Sequence, residues 1–177
     1  IRNAAKADAI YGDSFRTRED VRFLTANITA PDFAEKVRNE SGELDLVIHG
    51  AAVTASKMMV EQPVETIMTA IEGTRNVLEL AKAAGAQRFV YLSSMEMYGT
   101  LADESGRDIP ATEDRLGFLD LTKVRTDYPE SKRMCENLCI GFGHEYGLSV
   151  MIARLSQTFG AGILPWENRV FSQFARS

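Results

Sequence analysis

A tyrosine and a lysine lie four residues apart in the segment from Thr126 to Arg133 of this chain. On a helix, Tyr128 and Lys132 share one face, because residues four apart are neighbours on the helix surface. An ammonium group beside a phenol favours the phenolate, so this pair could take a proton from a hydroxyl group near neutral pH. The alternative is an ordinary pair on a solvated helix face, and the rest of the sequence favours the chemical interpretation.

Two apolar segments upstream, residues 44–49 and 88–92, end in small or polar residues. The residues at these ends are Gly50, Ala51, Ala52, Ser93, Ser94 and Glu96. Continuous apolar runs are typical of parallel strands inside a sheet, and ligands bind at the carboxyl ends of such strands. The sequence therefore predicts a site that is lined by these strand-end residues.

Strand-like and helix-like segments alternate along the chain, which predicts an α/β fold with a parallel sheet covered on both faces. Further strands are expected over 21–26 and 148–155, and helices from about residue 31, over 63–84 and over 127–146. Asp127 and Glu130 have the spacing of a capping box for the last of these helices. A long polar loop, 101–126, is expected to be functional. We expect a single domain over 1–177, because no repeat or linker interrupts the pattern.

These segments, together with Gly73-Thr-Arg-Asn-Val-Leu-Glu79, resemble the extended short-chain dehydrogenase/reductases, the nucleotide-sugar epimerase/dehydratase family. The resemblance implies a Rossmann-like, doubly wound parallel sheet that binds NAD, with NADP as an alternative. It also implies a nucleotide-sugar substrate, a homodimer in the full-length form and a cytoplasmic location. Members of the family begin with a strand and a glycine-rich turn and end in a sugar-binding portion. Neither is found here, so we expect the middle of a longer enzyme.

The resemblance also implies a role for each residue of the candidate site. Tyr128 takes a proton from a sugar hydroxyl as hydride leaves, Lys132 lowers the pKa of Tyr128 and holds the nicotinamide ribose, and Ser94 supports the same hydroxyl. The cofactor-binding residues are expected to be Arg2, Asn27, Ile28, Gly50, Ala51, Ala52, Ser93, Tyr128 and Lys132. The substrate-binding residues are expected to be Lys57, Gln157 and Arg169. An arginine at position 2 would suit the 2′-phosphate of NADP.

Glu96 separates the reactions that the family catalyses. In the 4,6-dehydratases the corresponding triplet is Thr-Asp-Glu, and its aspartate is an acid, whereas this chain has Ser94-Met95-Glu96. Because methionine cannot donate a proton, dehydration is disfavoured, and decarboxylases of UDP-glucuronate are more similar. Epimerisation remains open. A second alternative is that Glu96 only caps a turn.

Composition excludes some classes of function and leaves others open. The net charge of −5 argues against a general nucleic-acid surface, and no apolar run approaches the roughly 20 residues of a membrane span. Cys135 and Cys139 are expected to be reduced thiols, and His49 and His144 are too isolated to form a metal site. The enzyme interpretation competes with a non-catalytic relative that binds a dinucleotide.

Overall fold

The computed structural model describes Gly12, residues 17–158 and residues 170–174. The chain divides into two compact units: Ala26–Leu155 forms one, and Ile1–Thr25 with Ser156–Ser177 forms the other. The catalytic residues predicted from the sequence all belong to Ala26–Leu155. The prediction of a single domain over 1–177 stays a prediction.

The described sheet has three parallel strands in the order β1 (Leu46–His49), β2 (Arg88–Ser94) and β3 (Ser149–Leu155). Arg88 of β2 lies opposite both Leu46 of β1 and Ser149 of β3. Parallel strands need long crossover connections, and helices supply them here. The predicted α/β fold with a Rossmann-like parallel sheet is therefore confirmed.

Within Ala26–Leu155, helices connect and cover these strands. They are α1 (Phe33–Ser41), α2 (Ser56–Glu61), α3 (Pro63–Ala83) and α4 (Asp127–Tyr146), with short 3-10 turns at Met95–Tyr98 and Val124–Thr126. The other unit contains α5 (Val170–Phe174). Pro63 opens α3, where its missing N–H costs nothing. Gly147 ends α4 with φ 71°, in the left-handed region that glycine adopts without strain.

The start of α4 differs from the predicted capping box. Asp127 is the first helical residue rather than the cap, and its carboxylate accepts a hydrogen bond from the Tyr128 backbone N–H at 2.7 Å. Glu130 instead receives a hydrogen bond from Arg133 at 3.2 Å. The Asp127 carboxylate therefore fixes the helical turn that carries Tyr128.

The core lies between the sheet and the pair α3 and α4. It contains Val47, Leu78, Ala81, Phe89, Tyr91, Cys135, Cys139 and Phe142. On the opposite face, Leu46, Ile48 and Met151 are 47%, 61% and 66% exposed. Within Ala26–Leu155, the described helices thus cover one face of the sheet, whereas the sequence pattern predicted cover on both.

The strand predicted over residues 21–26 is wrong, because these residues are in no strand. The described sheet joins β1, β2 and β3 and does not include these residues. A side chain secures the next residues instead. The Asn76 amide of α3 donates to the Ile28 carbonyl at 2.7 Å and to the Ala30 carbonyl at 3.2 Å.

None of the helices in the described residues combines the length and the apolar character that crossing a bilayer requires.

Candidate active site

The carboxyl end of β2 turns sharply, and this turn places Ser94 and Glu96 at the edge of the sheet. The Ser94 hydroxyl accepts a hydrogen bond from the Glu96 backbone N–H at 3.2 Å and so caps the turn Met95–Tyr98. Gly99 follows with φ 70°, and a Cβ there would lie 2.6 Å from the Phe118 carbonyl oxygen. Only glycine fits this close approach without a shift of the backbone.

Tyr128 and Lys132 come to the same place from the first two turns of α4. Lys132 is 4% exposed, and its ammonium group donates to the Leu92 carbonyl at 2.8 Å. That ammonium lies 5.8 Å from the centre of the Tyr128 ring. The Ser94 side chain is near the Tyr128 phenol and lowers its pKa as a hydrogen-bond partner. The structure thus brings Ser94, Tyr128 and Lys132 together, as the sequence predicted.

The electrostatics of Tyr128 differ from the prediction. Burial raises the pKa of the Tyr128 phenol above its ordinary value and the Glu96 carboxylate raises it further, while Ser94 and Arg125 lower it. The Lys132 ammonium donates to the Leu92 carbonyl at 2.8 Å, and its expected effect on the Tyr128 pKa stays a prediction. Burial in turn lowers the pKa of Lys132. Tyr128 is therefore a neutral phenol in this structure near pH 7.

Glu96 forms an ion pair and does not cap the turn with its side chain. Arg125 Nη2 donates to Glu96 Oε2 at 2.8 Å, and both side chains are partly exposed. The Arg125 guanidinium carbon lies 5.7 Å from the centre of the Tyr128 ring. The carboxylate is therefore held beside the tyrosine, and Arg125 is a site residue that the sequence prediction missed. Its position three residues before Tyr128 was the available signal.

Two further arginines, also missed, hold the loop next to the site. Arg133 of α4 donates to the carbonyls of Met97 at 2.7 Å and Gly117 at 2.9 Å. Arg154 of β3 pairs with the buried Glu136 at 2.9 Å and donates to the Glu113 carbonyl at 2.7 Å. These contacts join the loop to α4 and β3. No sequence signal identifies the loop carbonyls as their partners.

The expected cofactor residues at the strand ends have a geometry that fits a polar ligand. Ser93 is 5% exposed, and its hydroxyl has no hydrogen-bond partner among the residues that the structure describes. A Cβ at Gly50 would lie 3.1 Å from Leu92 Cδ1, so a larger residue there would crowd the β2 side chain. Buried hydroxyls normally have a partner, so Ser93 has capacity for one more hydrogen bond. Asn27 Oδ1 already accepts from the Thr29 backbone N–H at 3.3 Å.

The expected substrate residues are placed less clearly. Lys57 is exposed, and its Nζ lies 3.8 Å from Oε1 of Glu61, one turn further along α2. Gln157 is exposed and belongs to the other unit. Arg2 and Arg169 lie outside the described residues. Their assignment to cofactor and substrate stays a prediction.

Beneath the site lies a buried group of polar side chains. His49 is 3% exposed and its Nε2 is 3.0 Å from the Thr74 hydroxyl. Burial, together with the charge of Lys132, lowers the pKa of His49 to about 4, so the ring is neutral. Cys135 and Cys139 are free and buried, as predicted for reduced thiols. Burial raises the pKa of both thiols.

Residues 4–177 match the model of the NAD dependent epimerase/dehydratase family. The chain belongs to this family. It is 34% identical over 132 residues to UDP-glucuronic acid decarboxylase 6 of Arabidopsis thaliana, a match that covers 75% of this chain and 37% of that protein. It is 32% identical over 154 residues to a UDP-N-acetyl-alpha-D-glucosaminuronate decarboxylase of Bacillus cytotoxicus, covering 80% of this chain and 46% of that one. The chain thus spans less than half the length of either relative.

Solved structures agree with the fold. An epimerase from Methanothermobacter thermautotrophicus superposes with a TM-score of 0.73 at 28% identity, over 89% of this chain and 44% of that one. A UDP-glucuronic acid 4-epimerase from Bacillus cereus in complex with NAD superposes with a TM-score of 0.66 at 21% identity, over 86% and 44%. The first of these supports the family assignment, and the second supports the fold alone. NAD is the cofactor for which the family is named.

Proposed function

We propose that the full-length protein is an NAD-dependent enzyme that oxidises the sugar of a nucleotide sugar at C4, modifies it and returns the hydride. The observation that carries this proposal is the convergence of Ser94, Tyr128 and Lys132 at the carboxyl end of β2. A module that only bound a dinucleotide would not need a phenol, a hydroxyl and an ammonium group in this arrangement.

Each residue has a chemical task in this proposal. Tyr128 accepts the proton of the sugar 4-hydroxyl in its phenolate form. Ser94 and Arg125 lower the pKa of this phenol, and the positive charge of the nicotinamide in bound NAD would lower it further. Ser94 keeps the Tyr128 hydroxyl and the sugar 4-hydroxyl aligned for this proton transfer. Bound NAD would supply the acceptor and later the donor of the hydride. Lys132, fixed on the Leu92 carbonyl, would hold the ribose of that cofactor.

Residues at the strand ends would hold the rest of the cofactor. Ser93 offers a buried hydroxyl without a partner among the described residues. Gly50, Ala51 and Ala52 present small side chains along the edge where it would lie. NADP stays the alternative, because Arg2, the residue that would select it, lies outside the described residues.

The step after oxidation is proposed to be decarboxylation, with epimerisation as the alternative. Oxidation at C4 turns a uronate into a β-keto acid, which loses its carboxylate as carbon dioxide and takes a proton at C5. Glu96 is placed beside Tyr128 to hold or move that proton, whereas Met95 cannot act as the acid of a dehydratase. The relatives with 32–34% identity that are named decarboxylases support this choice.

We further propose that two copies associate through a groove of about 700 Å³ between α3, α4 and the segment before α4. Leu121, Val124 and Met134 line it and are 73%, 54% and 55% exposed. Asp127 also lines it, and its Oδ2 has no hydrogen-bond partner within the described residues. Apolar surfaces of this kind mark interaction sites.

We place the protein in the cytoplasm, where the free Cys135 and Cys139 would stay reduced.

A second copy is the occupant that fits this groove. A two-fold interface brings the same patch of both copies together, so the patch must complement itself. Glu130 and Arg133 supply opposite charges at the groove, and Lys123 supplies a further donor. A donor from the second copy could therefore satisfy the Asp127 oxygen.

The experiment is to incubate the full-length protein and NAD with UDP-, dTDP-, GDP- and CDP-sugars, including uronates, and to analyse the products by mass and by NMR. Loss of carbon dioxide from a uronate supports decarboxylation, and an epimer of unchanged mass supports the alternative. A 4-keto-6-deoxy sugar as the main product would contradict the reasoning on Met95. Dinucleotide binding without any product would favour a non-catalytic relative.

A further inference from the structure

We propose that Arg125 is a positioning residue that works through Glu96: it holds the carboxylate in an ion pair beside Tyr128, and so controls how readily the phenol loses its proton. This role deepens the proposed function and rests on it. Neither the sequence motifs nor the family comparison assigns a role to Arg125.

Among the described residues, Arg125 has two neighbours in the site, Glu96 and Tyr128. Its Nη2 donates to Glu96 Oε2 at 2.8 Å, and its guanidinium carbon lies 5.7 Å from the centre of the Tyr128 ring. Its Nη1 is buried and has no hydrogen-bond partner in the part of the chain that the structure describes. The partly exposed guanidinium is therefore next to both the carboxylate and the phenol ring.

The ion pair between Arg125 and Glu96 joins two elements, because these residues are 29 positions apart in the sequence. Glu96 lies on the turn after β2, whereas Arg125 lies in the turn that leads into α4. Tyr128 follows Arg125 by only three residues. A contact that fixes the Arg125 guanidinium therefore also fixes the Glu96 carboxylate relative to the Tyr128 phenol. An arginine is suited to this task because its planar group is always charged.

The charges around Tyr128 act in opposite directions. The Glu96 carboxylate raises the pKa of the phenol, and Arg125 lowers it. Lys132 lies one turn along α4 with its ammonium on the Leu92 carbonyl, and Asp127 accepts the Tyr128 backbone N–H. On β2, the neutral Ser94 hydroxyl lowers the pKa of the phenol. Without Arg125, the carboxylate would act on Tyr128 unopposed, and both changes would make the phenolate less favourable.

The test reads the proton of Tyr128 directly and needs no turnover. Full-length protein is labelled with 3-fluorotyrosine, whose phenol titrates at lower pH than tyrosine, and its fluorine NMR signals are followed against pH. The signal that disappears in Tyr128→Phe identifies Tyr128. The variants are Arg125→Gln, Arg125→Lys, Glu96→Gln and the double variant Glu96→Gln/Arg125→Gln. Arg115→Gln is the matched control, because it removes the same charge from an exposed position of the neighbouring loop.

We expect Arg125→Gln to move the Tyr128 midpoint to higher pH, Arg125→Lys to move it less, and Glu96→Gln to move it to lower pH. The double variant should return most of the way towards the parent, since the unopposed carboxylate is gone. Arg115→Gln should leave the midpoint unchanged. The acid limb of the turnover profile should follow the same order if the proposed function is right.

Two results would overturn this role. The first is a midpoint in Arg125→Gln that equals that of Arg115→Gln. The second is a double variant that shifts as far as Arg125→Gln, which would mean that Glu96 takes no part. If Arg125→Gln does not fold, an unshifted midpoint in Glu96→Gln is sufficient to reject it. Absence of turnover in the parent would count against the proposed function and leave the NMR result valid.

Discussion

The Glu96 carboxylate forms an ion pair with Arg125 at 2.8 Å, and the Arg125 guanidinium carbon lies 5.7 Å from the centre of the Tyr128 ring. A carboxylate in this position can move a proton or orient a group on the oxidised sugar, whereas one that only stabilised the turn would have no effect on the chemical step. The two roles differ in what they change: the first changes turnover, and the second changes the free energy of unfolding.

The first prediction concerns Glu96→Gln in the full-length enzyme. The amide keeps the shape of the carboxylate, so the fold and the affinity for cofactor should be retained. Turnover should fall by about two to four orders of magnitude, the usual contribution of a positioned acid or base. Steady-state kinetics and urea denaturation measure the two quantities separately. A lower free energy of unfolding with unchanged turnover per folded molecule would show that Glu96 is only structural.

The second prediction concerns the buried His49. Its pKa is lowered to about 4 by burial and by the charge of Lys132, whereas in the unfolded chain it is about 6.5. The unfolded chain therefore binds more protons between these values, and stability must fall as the pH falls from about 6.5 towards 4. The loss should approach about 3 kcal/mol, from about 1.4 kcal/mol for each pKa unit.

Urea denaturation of the parent and of His49→Gln between pH 4 and pH 7 measures this effect. The variant should lose about 3 kcal/mol less than the parent over that range, because glutamine does not titrate. His144→Gln is the matched control, since His144 is exposed. Equal pH dependence in the parent and in His49→Gln would contradict the burial of a neutral ring.

At the scale of the elements, the loop between the turn Met95–Tyr98 and α4 is held by close backbone contacts. The Gly117 N–H donates to the Tyr98 carbonyl at 2.7 Å, and the Phe118 N–H donates to the Thr100 carbonyl at 3.0 Å. An added Cβ at Gly117 would overlap the Thr100 carbonyl oxygen. The backbone atom cannot rotate away as a side chain could, so the loop itself would have to move.

The third prediction follows from this contact. Gly117→Ala should lower the free energy of unfolding by about 1–3 kcal/mol, the usual cost of overpacking. Gly141→Ala is the control, because nothing lies within 4 Å of a Cβ there, in the middle of α4. It should raise stability by about 0.5–1 kcal/mol, since alanine favours a helix more than glycine does. Urea denaturation that ranked the two variants in the opposite order would contradict the described loop geometry.

The elements show which features local sequence determines. The start of α3 at Pro63, the end of α4 at Gly147 and the positions of β1, β2 and β3 were predicted to within about two residues, because proline, glycine and apolar runs act locally. The strand over 21–26 was wrong. Its residues have strand-like side chains, but a strand also depends on a neighbour that no local pattern specifies.

The site shows the same division. The meeting of Ser94, Tyr128 and Lys132 was predictable from the fold class, because strand ends and the following helix meet at one edge. The direction in which the Tyr128 pKa shifts was not predictable, because it depends on burial and on Arg125, and the loop places Arg125. The ammonium of Lys132 bonds to a carbonyl of β2, and backbone partners of this kind leave no trace in the sequence.

At the scale of the whole molecule, the groove between α3 and α4 combines exposed apolar side chains with a buried, unpaired oxygen of Asp127 among the described residues. The chain spans 37% of the length of its Arabidopsis relative. The assembly of the full-length protein is therefore the level at which the proposed dimer must be tested.

The fourth prediction is that Met134→Glu converts a dimer of the full-length protein into a monomer, because it places a charge in the apolar groove on both copies. Size-exclusion chromatography with light scattering gives the mass directly. Leu116→Glu is the matched control, since Leu116 is 50% exposed on the loop and does not line the groove. The same mass for the parent and Met134→Glu, whether monomer or dimer, would mean that this groove does not join two copies.

The central claim is that Tyr128 removes the proton of a sugar hydroxyl while hydride leaves the same carbon. The most direct measurement mixes full-length enzyme containing NAD rapidly with the sugar nucleotide on which it acts and follows the absorbance of reduced nicotinamide within a single turnover. The parent should show reduced nicotinamide forming and then disappearing. Tyr128→Phe, with the same cofactor content, should form it at least about a hundredfold more slowly, because only the hydroxyl is lost. Equal rates in the parent and in Tyr128→Phe would contradict the claim.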